Sequence, residues 1–262
     1  AVLSGATLPI IGEGDSEPNL LEGSPLADDV ILGRAGADTI TGDAGNDFLD
    51  GGLGDDDIDG GEGDDTISGA LGMDVIDGGR GNDSILGFGG ADLIDGGEGN
   101  DSIRGGDGPD TIVGNLGEDS LEGGLGGDTI SGILADPSSF PVDDTDGADT
   151  LEGWGGADTI ILGSGDTAFG EFATTSADGL GDTFVVGTWI TGDAATINDF
   201  DPAVDRIEYY RAGGEVLDLA TVDVAGNITF QLTADGDVVV QIPVRMSGAV
   251  LNLTDITIIE PV

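Results

Sequence analysis

Residues 33–131 read GRAGADTIT, GDAGNDFLD, GGLGDDDID, GGEGDDTIS, GALGMDVID, GGRGNDSIL, GFGGADLID, GGEGNDSIR, GGDGPDTIV, GNLGEDSLE and GGLGGDTIS. Each nine-residue unit has Gly first, Gly fourth, Asp sixth and Ile or Leu eighth, while the other five places vary. High Gly and Asp with few aromatics would by themselves describe a solvated acidic linker. A linker has no reason to fix an aliphatic residue at every eighth place. The period therefore overrides the composition.

The residue logic follows from the spacing. In a unit such as Thr39-Ile40-Thr41, alternation sends the eighth residue to one face and its neighbours to the other. The expected inward column is Ile40, Leu49, Ile58, Ile67, Ile76, Ile85, Ile94, Ile103, Ile112, Leu121 and Ile130. The last three residues of each unit form a very short strand, and the first six turn the chain. Gly tolerates the positive φ values that such turns use.

This Gly-Gly-x-Gly-x-Asp-x-aliphatic-x pattern is one of the nonapeptide repeats associated with calcium-binding β-helices. On these residues the chain resembles the repeats-in-toxin (RTX) family, across roughly half its length. The resemblance implies an all-β fold, a right-handed parallel β-roll in which two nonapeptides make one coil, with a C-terminal β-rich capping region. It also implies secretion by the type I machinery, with an uncleaved signal in the C-terminal part that nucleates folding. The expected location is extracellular or at the cell surface.

If two units make a coil, equivalent side chains recur at every second unit. The aspartates then form two ladders, one on each edge. One holds Asp38, Asp56, Asp74, Asp92, Asp110 and Asp128; the other holds Asp47, Asp65, Asp83, Asp101 and Asp119. Neighbouring carboxylates at a strand spacing of about 4.8 Å repel by about 1 kcal/mol in water and roughly 3–4 kcal/mol at an effective dielectric of 20. A divalent ion between rungs reverses that sign. Oxygen ligation by Asp and turn carbonyls suits Ca²⁺ better than Mg²⁺. The chain has no His and no Cys, which argues against zinc and copper sites. With two aliphatic side chains per coil the core is thin, so the repeats are expected to fold only as Ca²⁺ binds.

The edges of the array extend the ladders. Residues 24–32, SPLADDVIL, make a degenerate unit that adds Asp29, two units before Asp47 and so on the same ladder. Residues 133–146, ILADPSSFPVDDTD, interrupt the period, which resumes with Asp149 and Asp158. If the insertion loops out, Asp149 follows Asp119 and Asp158 follows Asp128. Asp166 and Asp182 stand in repeat-like contexts as terminal ion sites. The expected division is a cap over 1–23, the roll over 24–170 with the insertion at 133–146, and a β-rich cap with the secretion signal over 171–262. Asn227–Val244 reads as a hairpin, and Val250–Ile259 as part of the signal.

Charge narrows the partners. The chain carries 53 acidic residues against 6 basic ones, a net charge of -47. Nucleic acid needs clustered Lys or Arg, and anionic membranes repel such a chain. No apolar run reaches the roughly 20 residues of a membrane span, and no N-terminal signal peptide is visible. Without His there is no HExxH motif and no Ser-His-Asp triad, and no Ser is flanked as G-x-S-x-G. Asp55-Asp56-Asp57-Ile58-Asp59-Gly60 mimics an EF-hand loop, but its twelfth place is Thr66 rather than Glu. Trp154, Trp189, Tyr209 and Tyr210 are candidate sugar platforms, although such residues more often pack a β-core.

The expected function is a non-enzymatic, secreted, calcium-binding structural protein: a matrix, surface-layer, adhesive or filament component able to form a homo-oligomer. The alternative is the C-terminal calcium-binding and secretion module of a larger secreted enzyme or toxin.

Overall fold

The computed structural model describes residues 11–133, 147–170, 180–187, 195–198, 205–210, 217–224, 227–234, 237–244 and 256–259. The described elements are all strands. The first ten residues, most of the 133–146 insertion, Trp189 and most of Val250–Ile259 lie outside the described residues, as do the side chains of Tyr209 and Tyr210.

Each repeat strand pairs in parallel with the strand two units further on, so that Ile67 faces Ile85 and Ile85 faces Ile103. Alternate strands therefore belong to two sheets, and the chain shuttles between them through the Gly-x-Asp turns. Ile31, Leu49, Ile67, Ile85, Ile103 and Leu121 of one sheet meet Ile40, Ile58, Ile76, Ile94, Ile112 and Ile130 of the other, all of them buried. The expected inward column is thus the core of a parallel β-roll.

The strands are longer than the short triplets expected. Ser84–Gly89 and most of its counterparts run for six residues, from the seventh place of one unit to the third place of the next. Alternation then points the first-place glycine inward beside the eighth-place aliphatic, and only the fourth to sixth places are left for the turn. A Cβ on Gly60 would lie 2.5 Å from the Gly78 carbonyl oxygen and 2.6 Å from Asp65 Oδ2. Gly stands there for lack of room, rather than for turn flexibility. Flexibility matters at the second place, where Gly61 and Gly97 have φ of 106° and 101°. Ala70 and Phe88 occupy the same left-handed region at 75° and 73°.

Register survives the insertion. Leu121 pairs with Leu151 and Ile130 with Ile160, as if the extra chain between them were absent. Parallel pairing then continues through Phe184 to Ile207 and on to Ile256. Leu217–Val224, Asn227–Ala234 and Asp237–Val244 form an antiparallel meander, which joins one sheet where Thr196 pairs in parallel with Gln241. This contains the expected hairpin; its turn residues 235 and 236 lie outside the described residues.

Two glycine places predict opposite outcomes in calcium-loaded protein. Gly60→Ala adds a methyl against backbone and is expected to destabilise by about 2 kcal/mol or more. Ala70→Gly relieves a left-handed residue and is expected to stabilise by about 0.5–1 kcal/mol. Chemical denaturation midpoints check both signs.

Candidate metal centre: two carboxylate ladders

The sixth-place aspartates close the turns and point inward, with exposures between 1% and 3% from Asp29 to Asp158. They form the two expected ladders, each step made by a hydrogen bond. The backbone N–H of Asp38 donates to Asp56 Oδ1 at 2.8 Å, Asp56 to Asp74 at 2.9 Å, and so on through Asp92 and Asp110 to Asp128. On the other edge Asp29 donates to Asp47 at 2.6 Å and Asp47 to Asp65 at 2.7 Å, continuing through Asp83 and Asp101 to Asp119. Across the insertion, Asp119 donates to Asp149 and Asp128 to Asp158, both at 2.8 Å. Both ladders therefore stay in line across the insertion.

The ladders reach further than the repeats. Asp149 donates to Asp166 Oδ1, Asp158 to Asp182 Oδ1, and Asp182 to Asp205 Oδ1, each at 3.0 Å. Asp205 was not singled out from sequence because its separation from Asp182 does not fit the period. The surviving signal is the Asp-x-aliphatic triplet Asp205-Arg206-Ile207, matching Asp158-Thr159-Ile160. At the front, the Asn19 N–H donates to Asp38 Oδ1, so a neutral amide residue takes the first rung. Asp29 Oδ2 accepts from the Ser24 N–H, and Asp166 Oδ2 accepts from the Gly163 N–H at 2.6 Å.

The second carboxylate oxygen is different inside the array. The Oδ2 atoms of Asp38, Asp47, Asp56, Asp65, Asp74, Asp83, Asp92, Asp101, Asp110, Asp119 and Asp128 are buried and accept no hydrogen bond. A buried anionic oxygen without a partner is costly. Among the described residues no three His, Cys, Asp or Glu side chains converge on a metal-sized point. A cation held here must therefore draw on turn carbonyls as well as carboxylates. That oxygen-only donor set fits Ca²⁺.

A second spine, hidden from the sequence, runs along one edge only. At the fifth place Asn46 donates its N–H to Asp28 Oδ1, Asp64 to Asn46, Asn82 to Asp64, Asn100 to Asn82, and Glu118 to Asn100. These bonds run backward along the axis, whereas the sixth-place bonds run forward. On the opposite edge the fifth place holds Ala37, Asp55, Met73, Ala91, Pro109 and Gly127. Among these described residues there is one such bond, from Met73 to Asp55 Oδ1. The fifth place looked free to vary only because the two edges were read together.

Trp154 is engaged within the chain. Arg104 lies over its ring at 5.8 Å, its Nε1 donates to Glu152 at 3.2 Å, and Arg104 pairs with Glu122 at 3.0 Å.

Burial raises the ladder carboxyls from Asp47 to Asp128. It pushes Asp47, Asp65, Asp74 and Asp101 up to about 6, and Asp83 and Asp110 up to about 7. The backbone N–H bond from the preceding rung pulls each one back, and neighbouring carboxylates add to the rise. A carboxyl raised in the folded state stabilises that state fully below its unfolded value near 4, and this contribution is lost as pH rises through the folded value. In excess chelator the roll should thus gain β-structure as pH falls from 8 towards 5. Circular dichroism checks this; a signal that stays flat or declines would contradict it.

Comparison with known proteins agrees with this geometry. The RTX calcium-binding nonapeptide repeat matches residues 27–58, 49–72, 68–103, 95–130 and 142–167. No curated protein matches the chain. Among solved structures, the crystal structure of the extracellular lipase LipA from Serratia marcescens is similar at 15% identity, with a TM-score of 0.23. The match covers 77% of this chain and 39% of the lipase, so the chain spans well under half of that protein's length. With the nonapeptide matched on both sides of the insertion and its aspartates stacked in register, the chain belongs to the RTX family of calcium-binding nonapeptide-repeat proteins.

Proposed function

We propose that this chain is a secreted, calcium-binding structural protein, a matrix, surface-layer, adhesive or filament component, without a catalytic centre of its own. The observation that carries this reading is the row of buried Oδ2 atoms from Asp38 to Asp128 that accept no hydrogen bond. Burying anionic oxygens in series at neutral pH requires positive charge beside them.

Asp29, Asp38, Asp47, Asp56, Asp65, Asp74, Asp83, Asp92, Asp101, Asp110, Asp119, Asp128, Asp149 and Asp158, with turn carbonyls, would hold Ca²⁺. When bound, the ion supplies the charge that offsets desolvation and repulsion along each ladder. The chain's own contribution is placement. First-place glycines leave space beside Oδ2, and the N–H of the preceding rung fixes Oδ1. In calcium-poor cytoplasm the same carboxylates favour the unfolded chain, the form suited to type I export. Outside the cell the roll closes. A structural role is further supported by the absence of His and Cys from the whole sequence.

A calcium titration followed by circular dichroism tests the reading. The expected result is a cooperative gain of β-structure at neutral pH, reversed by chelator. A β-rich spectrum retained in excess chelator at pH 7.5 would overturn it, and an upstream reading frame encoding an enzyme would replace the structural role with that of a module. Asp83→Asn gives a sharper check. It keeps the Oδ1 acceptor for the Asp65 N–H and removes the charge. The calcium midpoint is expected to rise by about tenfold, while residual structure in chelator increases.

A further inference from the structure

Over the first coils of the repeat array the two outer faces of the roll differ in charge. Over Val30–Ala35, Phe48–Leu53, Thr66–Leu71 and Ser84–Gly89, one sheet carries a single acid, Asp50, in a chain with 53. The other sheet, over Asp57–Glu62, Val75–Arg80 and Leu93–Glu98, carries Asp57, Asp59, Glu62, Asp77, Asp95 and Glu98. The acid-poor face instead exposes Val30, Phe48, Leu53, Leu71, Leu86 and Phe88. Register sets these in two rows: Val30 lies beside Phe48 at the start of the strands, and Leu53 beside Leu71 at their ends, where Phe88 follows beside Ala70. Leu71 is 59% exposed and Phe88 53%. Phe88 also sits at a left-handed φ of 73°, a strained conformation for a bulky residue, and it buries little in return.

We infer that this face is where two copies of the chain pair, sheet against sheet, about a two-fold axis near Leu71 and Phe88. The inference rests on the calcium-folded roll proposed above. Charge selects the occupant. Each copy carries a net charge of -47, so two copies repel wherever acids face each other, and these four rungs are a surface from which acid is withdrawn. A cationic partner would be drawn to the opposite sheet. Area permits the pairing. The seven registered rungs from Val30–Ala35 to Thr150–Gly155, the last three of which add Asp107, Glu122 and Glu152 together with Arg104, present about 29 Å by about 20 Å. That is roughly 600 Å² in projection, and side-chain relief brings it near the ~800 Å² per partner of a standard interface. A flat sheet face is also readily self-complementary under a two-fold.

Sedimentation of the full chain in calcium tests this, with circular dichroism read in parallel. The wild-type chain is expected to form a dimer. Leu71→Asp and Phe88→Asp should each weaken it at least tenfold without moving the calcium midpoint, and Val75→Asp on the acidic sheet should leave it intact. Because the chain has no Cys, Ala70→Cys, beside Phe88, should yield a disulfide-linked dimer in calcium, whereas Thr111→Cys should not; this readout stands even if the Asp variants fail to fold. A folded monomer at every concentration would overturn the pairing and leave the calcium reading standing. So would a dimer indifferent to Leu71 and Phe88. A monomeric Ala70→Cys variant whose thiol resists thiol reagents would also overturn it, by placing a segment of the chain itself over the face. Loss of calcium-dependent folding would instead strike the parent reading.

Discussion

Each sixth-place carboxylate inside the array is used on one side only. Its Oδ1 takes the backbone N–H of the rung before it, which locks the turn to its neighbour with a charge-assisted bond. Its Oδ2 is carried into the same dry turn and accepts no hydrogen bond. Fixing the first oxygen is what strands the second, so the fold creates its own demand for cations. The glycine at the first place belongs to the same constraint, because a methyl there would meet that stranded oxygen.

This pairing of a satisfied and a stranded oxygen makes the roll cooperative along its axis. A rung that opens releases the Oδ1 contact of one neighbour and exposes the carboxylate of the next. On the edge with Asn46, Asp64, Asn82 and Asn100, a second set of bonds points the other way, so those turns are tied in both directions. The opposite edge, with Ala37, Ala91, Pro109 and Gly127, has little of this. The two edges share one ligand type but not one degree of preorganisation.

Most of the core and both ladders were legible in the sequence, because the eighth and sixth places are each tied to one physical task. Ile85 has to be apolar and Asp83 has to be acidic whatever surrounds them. Strand length was not legible. Nothing in Gly-Gly reads as strand, yet Gly105 lies within a strand and Gly106 pairs with Phe88, because parallel pairing is a property of two neighbouring rungs. The fifth-place spine was hidden because its bonds join residues two units apart on one edge only. Asp205 was hidden by spacing, since the coils after Ile161 vary in length while the ladder does not. The apolar outer face was not legible because Phe48, Leu71 and Phe88 stand at different places of the nonapeptide and come to one sheet only when alternate units stack.

The intact pairing of Leu121 with Leu151 shows that the roll counts coils and is indifferent to how much chain each turn contains. Contour length and axial length are uncoupled at that corner. A passenger spliced between Ile133 and Gly147, whether a tag, an epitope or a small folded domain, would leave the pitch of the rod unaltered, and rods differing only in such cargo could still stack alike.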